Sequence, residues 1–181
     1  MDFTEKTLSQ EYKYKGKIIQ MRVDSVLLPD GKPATREVIE HNGGVCVVPL
    51  TADNSILMVR QYRYPYSETI LEIPAGKRDG DEAPLICGKR ELLEETGAVA
   101  EEYKFLGKLY PSPGYCGEII YMYAARGLTF GKQQTDEDEF LAVEKIPLDN
   151  LVDMILSGEI TDAKTQTAVL KVNELLKRGE F

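Results

Sequence analysis

Hydrophobic and polar positions divide the chain into short strand-like runs, one amphipathic block, further short runs and two closing helical patterns. Residues 17–28 (KIIQMRVDSVLL) place Ile19, Met21 and Val23 at alternate positions, as a half-buried strand requires. Pro29-Asp30-Gly31 reads as a turn and residues 36–41 (REVIEH) as a returning strand, so the pattern predicts a β-hairpin arm. Gly43-Gly44 leads into 45–50, a continuous apolar run expected as a buried strand. A turn at 51–54 precedes strands at 55–63 and 69–73. A helix is expected from about Ala83 to Thr96, with Asp81 placed to cap it, Pro84 in its first turn and Gly97 ending it. Strands follow near 103–110, 118–125 and 139–146, and helices near 148–157 and 162–178. The last helix carries Ala168, Val172, Leu175 and Leu176 on one core-facing stripe. The elements predict an α/β (α+β) fold with helices on a mixed β-sheet, in which residues 1–42 form the arm and 43–181 the body.

Composition narrows this picture. At 181 residues, with 43% hydrophobic and 29% charged, the chain is long enough for one domain with a sizeable core. Its 22 Lys and Arg against 30 Asp and Glu give a net charge of −8, which disfavours a general nucleic-acid binder. It leaves room for a small anionic ligand held by a few arginines and a metal. Cys46, Cys87 and Cys116 are widely spaced, without a C-x-x-C pair, so they read as core residues in a reducing compartment. No apolar run spans a bilayer, and the N-terminus has no signal-peptide pattern; a cytoplasmic location and no membrane partner are expected.

Residues 76–98 (GKRDGDEAPLICGKRELLEETGA) carry the candidate chemistry. Glu91 and Glu95 are one turn apart on one helix face, and Glu94 flanks them. Like charges at such spacings cost a bare helix about 0.2–0.5 kcal/mol each. A divalent cation offsets that cost, because hard Mg²⁺ takes carboxylate oxygens and can then bind a pyrophosphate. The plainer alternative is a solvated acidic face on which Arg90 pairs with Glu94.

The full spacing favours the metal. Gly76, five residues, Glu82, seven residues, then Arg90-Glu91-Leu92-x-Glu94-Glu95-x-Gly97 resembles the Nudix box at every fixed position. Ala98 departs from it, standing where the family usually has a larger aliphatic residue. The resemblance implies the Nudix fold and hydrolysis of a nucleoside diphosphate linked to another group. It makes Glu91 and Glu95 metal ligands, joined by the main-chain carbonyl of Ala75, with Glu94 supporting the cluster. Mg²⁺ is the implied cofactor, with Mn²⁺ as an alternative. Arg90 and Glu82 would orient the ligands.

Features outside the box resemble the ADP-ribose pyrophosphatase branch. Ser112-Pro113-Gly114 follows the box, with Pro113 sixteen residues after Gly97 and Glu118 five further on; read plainly, it is an ordinary turn. Residues 134–139 (QTDEDE) match an acidic loop, which makes Glu137 the candidate general base and Glu139 a further metal ligand. The two could exchange roles. Arg36-Glu37 resembles a pair that contacts the adenosine end, from an arm exchanged between subunits of a homodimer. Lys17 and Ile18 fall where relatives pack on adenine, although Ile18 is aliphatic rather than aromatic. Arg63 matches a phosphate-contacting arginine. Arg60 and Lys77 are further substrate candidates, and His41 is weighed as a basic substrate contact against a structural role. The implied reaction is hydrolysis of ADP-ribose to AMP and ribose 5-phosphate. Two alternatives stand beside it: another nucleotide sugar such as GDP-mannose or ADP-glucose, and a sensor that binds ADP-ribose without cleaving it.

Overall fold

The computed structural model describes residues 2–134 and 140–181. Among these, the chain forms β1 (Lys6–Lys15), β2 (Gln20–Leu27), β3 (Pro33–Glu40), β4 (Gly44–Pro49), β5 (Ser55–Arg63), β6 (Glu68–Glu72), β7 (Ala75–Lys77), α1 (Pro84–Thr96), β8 (Ala98–Leu109), β9 (Ile120–Phe130), β10 (Leu141–Pro147), α2 (Leu148–Leu156) and α3 (Ala163–Lys177). Two units result. One comprises Met1–Gly43 with Tyr110–Ile119, the other Gly44–Leu109 with Ile120–Phe181.

The first unit is an antiparallel sheet in the order β1-β2-β3. The hairpin expected around Pro29-Asp30-Gly31 joins β2 to β3. Gly31 takes a positive φ of 82° there, and its N–H donates to Leu28 O at 2.9 Å. The preceding strand, β1, is an addition to the expected arm. Every one of its residues is exposed, so it carries no buried stripe for periodicity to reveal. The segment Tyr110–Ile119 attaches to β3, where Ile39 N donates to Tyr115 O at 2.8 Å and Gly117 N to Ile39 O at 2.8 Å.

The second unit is organised around β4, whose six residues are all buried. It pairs parallel with β9 and antiparallel with β7, giving the order β7-β4-β9-β8; β10-β5-β6 form a second sheet. Side-chain alternation sends β4 to two cores. Cys46 and Val48 join Ile56, Met58, Met122, Ala124 and the apolar faces of α2 and α3. Val47 joins Leu57, Ala125 and Leu92 of α1. The mixed sheet is thereby covered by α1 on one face and α2 with α3 on the other. Each buried Val, Leu, Ile or Met stabilises the fold by about 1.5–3 kcal/mol, far more than an exposed ion pair.

Helix α1 begins and ends for different reasons. Pro84 opens it and Gly97 closes it at φ 71°, its N–H donating to Leu93 O. Asp81 does not cap it: the N-cap is Ala83, which makes no side-chain capping bond. The chain turns once more before the helix, through Glu82 N to Asp79 O at 2.9 Å, which leaves Asp81 two residues short of the capping position. Gly88 lets α1 sit close on β4; a Cβ there would meet Val45 Cγ1 at 3.0 Å and Val47 Cγ2 at 3.2 Å. No described helix is long and apolar enough to cross a membrane.

Candidate active site

The box carboxylates meet the strand that opens the box. The Glu91 carboxylate lies directly over Gly76: a Cβ on that glycine would stand 1.9 Å from Glu91 Cδ and Oε1. Glu95 is 1% exposed, and its Oε2 accepts the Ala75 N–H at 3.1 Å. Two buried carboxylates thus flank the Ala75-Gly76 backbone, an all-oxygen donor set suited to a hard divalent cation. Among the described residues no three acidic, His or Cys side chains close into a cation cage. Glu137 and Glu139, the further carboxylates expected from sequence, lie outside the described residues.

Arg90 organises the acidic face. It reaches Glu82 through Nε at 3.2 Å and Nη2 at 3.0 Å, and the Lys77 carbonyl through Nη2 at 3.1 Å. Its Nη1 bridges Glu91 Oε1 and Glu94 Oε2, both at 2.9 Å. The pairing expected of a solvated face is therefore present, and the same arginine also grips a buried carboxylate. The bond to Glu82, aided by the fields of its other carboxylate partners, raises the Arg90 pKa against the opposing effect of burial. The reciprocal bond holds Glu82 below the usual carboxylate range. Both groups stay charged, as an orienting pair needs.

The helix C-terminus is held by the segment that follows β9. Gln134 N donates to Glu94 O at 3.0 Å, Gln133 Nε2 to Glu95 O at 2.7 Å, and Gly131 N to Gly97 O at 2.7 Å. These bonds satisfy carbonyls that a helix end leaves without partners.

The candidate arginines have distinct surroundings. Arg63, at the end of β5, forms a two-pronged bond with Glu72, Nε to Oε1 at 2.6 Å and Nη2 to Oε2 at 2.9 Å. Burial opposes its charge, but Glu72, with the fields of Glu95 and Asp162, outweighs burial and raises its pKa. Arg60 pairs with Glu144 on the neighbouring strand β10, an ion pair across the strand surface. Lys77 is exposed on β7, and its carbonyl serves Arg90.

The remaining candidates belong to the first unit. Arg36 and Glu37 are exposed on β3, where Arg36 binds Glu5 through Nε and Nη2. Lys17 and Ile18 lie in the bend between β1 and β2, with Ile18 55% exposed. Ser112, Pro113 and Gly114 form a turn closed by Cys116 N donating to Ser112 O at 2.9 Å. His41 Nδ1 accepts the Gly43 N–H at 3.0 Å and lies 3.5 Å from Glu118 Oε1. That local bond is of the kind a structural histidine beside a turn makes, and the approach to Glu118 sets it beside another of the substrate candidates.

Three charged residues escaped sequence reasoning. Glu72 is 1% exposed and Lys164 9%, and they pair with each other; Asp162 holds Lys164 at 3.0 Å and caps α3 through Thr165 N at 2.9 Å. The one available signal was Glu72, an acid within the apolar run just before the box. Of the three cysteines expected in the core, Cys46 and Cys87 are buried and Cys116 is half-buried; burial raises the Cys46 and Cys87 thiols to about 12, so neither is a thiolate at neutral pH.

Comparison with known proteins agrees with this geometry. Residues 40–167 match the NUDIX domain, and residues 5–39 match the nucleoside diphosphate sugar hydrolase N-terminal domain. A methanol dehydrogenase activator from Bacillus methanolicus is 41% identical over 179 residues, with 97% of each chain covered. An ADP-ribose pyrophosphatase from Bacillus subtilis (strain 168) is 40% identical over 177 residues, with 96% of each covered. A solved structure of an ADP compounds hydrolase superposes with a TM-score of 0.86 over the whole of both chains at 23% identity, a likeness of fold. With the box complete, its carboxylates gathered at Ala75 and Gly76, and the family match covering most of its length, the chain belongs to the Nudix hydrolase family.

Proposed function

We propose that this Nudix hydrolase cleaves the pyrophosphate of ADP-ribose to AMP and ribose 5-phosphate with Mg²⁺ as cofactor. The observation that carries it is the seating of the Glu91 carboxylate over Gly76 beside the buried Glu95. Near full-length similarity to an ADP-ribose pyrophosphatase supports the choice of substrate.

In this reading the Ala75 carbonyl, Glu91, Glu95 and Glu139 hold the cation, which Mn²⁺ can replace. When bound, the cation neutralises phosphate charge and favours ionisation of a water. Arg90 keeps Glu91 and Glu94 oriented, as ligand-orienting groups do in metal sites. Arg63 contacts the pyrophosphate with the planar donor geometry that suits phosphate oxygens. Glu137 accepts the proton of the attacking water. Lys17, Ile18, Arg36 and Glu37 serve the adenosine end in a homodimer, and Ser112, Pro113, Gly114 and Glu118 line the substrate near the turn. The intracellular reducing compartment inferred from the cysteines is consistent with an intracellular nucleotide-sugar substrate.

The test is a substrate panel with Mg²⁺: ADP-ribose, GDP-mannose and ADP-glucose, with products separated chromatographically. ADP-ribose should give the highest kcat/KM and yield AMP. A faster GDP-mannose reaction would transfer the proposal to that sugar nucleotide, and binding without product would mark a sensor.

A further inference from the structure

Glu72 stands on the last residue of β6 and is 1% exposed, a costly place for a carboxylate unless cations surround it. It accepts from Arg63 on one side and from Lys164 on the other. Lys164 is itself 9% exposed and donates to Asp162 Oδ1 at 3.0 Å. Asp162 Oδ2 accepts from Thr165 N at 2.9 Å and from Thr165 Oγ1 at 2.6 Å, and Thr165 Oγ1 accepts the Ile73 N–H at 3.0 Å. The start of α3 therefore grips β6 twice, at the Glu72 side chain and at the next backbone amide. Two residues further on, Ala75 N binds Glu95, and Glu95 lies near enough to act on the charge of Arg63.

We infer that Lys164 and Asp162, at the N-terminus of α3, are positioning residues for Arg63: they fix the Glu72 carboxylate, which aims the guanidinium at the substrate's pyrophosphate. This rests on the assignment of Arg63 as a phosphate contact in the proposed function. Glu72 engages Nε and Nη2 of Arg63, and among the described residues no hydrogen bond takes its Nη1, the edge that would meet another anion. Removing Lys164 leaves Glu72 with one cation in place of two. Arg63 is then drawn onto Glu72, and its grip on an incoming phosphate weakens. Because Arg63 holds the phosphate in ground state and transition state alike, the loss falls on KM rather than on kcat.

The test compares wild type, Lys164→Met, Arg63→Ala and the double variant in steady-state hydrolysis of ADP-ribose with Mg²⁺, with thermal denaturation of each. Lys164→Met should raise KM about tenfold and leave kcat within about twofold. In the Arg63→Ala background the same substitution should leave KM unchanged, because the path it acts through is gone. Lys164→Arg, which keeps the charge, should restore most of the lost affinity. A Lys164→Met KM within twofold of wild type, beside a raised KM for Arg63→Ala, overturns the inference and leaves the phosphate role of Arg63 standing. An equal effect in both backgrounds overturns it too, since Lys164 would then act through general stability. An unchanged KM in Arg63→Ala removes the phosphate assignment and the inference with it. Should Lys164→Met fail to fold, Lys164→Gln carries the same comparison.

Discussion

Gly76→Ala should lower kcat/KM for ADP-ribose by about a hundredfold or more, the cost of misplacing a reacting group by about 1 Å. The methyl group would stand 1.9 Å from Glu91 Cδ and Oε1 and 2.3 Å from Oε2. No rotation of the new Cβ relieves this, so the carboxylate or the strand must move. Glu91 is 7% exposed and held by Arg90, which leaves it little room. The strand is constrained as well, since Gly76 pairs with Val45 of the fully buried β4. The effect is steric: Gly76 is absent from the glycines with positive φ. The variant should remain folded, with a near-native circular dichroism spectrum. Activity within threefold of wild type would show that Glu91 need not sit over this glycine.

Glu95→Gln should reduce kcat by at least about a hundredfold, more than loss of a group that merely orients a metal ligand. The substitution is nearly isosteric. Its amide oxygen can still accept the Ala75 N–H, so the structural bond survives while the negative charge goes. A role confined to holding the backbone would leave turnover unchanged; a role in holding a cation would not. Measuring kcat against Mg²⁺ concentration separates the two, and the variant should need more Mg²⁺ for half its maximal rate. An unchanged kcat and Mg²⁺ requirement would remove Glu95 from the metal site.

The sequence was most legible where one segment carried its own pattern. The apolar run at 45–50 became β4, and the strand expected at 55–63 became β5 at the same residues. Gly97 ended α1 as its conformational freedom predicts. Legibility failed where no local pattern exists. Strand β1 is exposed throughout and carries no buried face. Asp81 has a capping side chain, but an intervening turn moved the helix start past it. Glu72 and Lys164 are 92 positions apart, so their pairing is a tertiary event that neither flank announces. Arg90 shows an intermediate case: spacing revealed its pairing with Glu94, while its bonds to the Lys77 carbonyl and Glu82 depend on how residues 77–82 fold back on the helix.

The bond from the Ala75 amide to Glu95 makes that amide a reporter on the site. Its hydrogen is held by a side-chain carboxylate rather than by a ladder partner, so its chemical shift and solvent-exchange rate follow the occupancy of that carboxylate. A ligand that draws Glu95 away would be visible at this one backbone signal before any product forms.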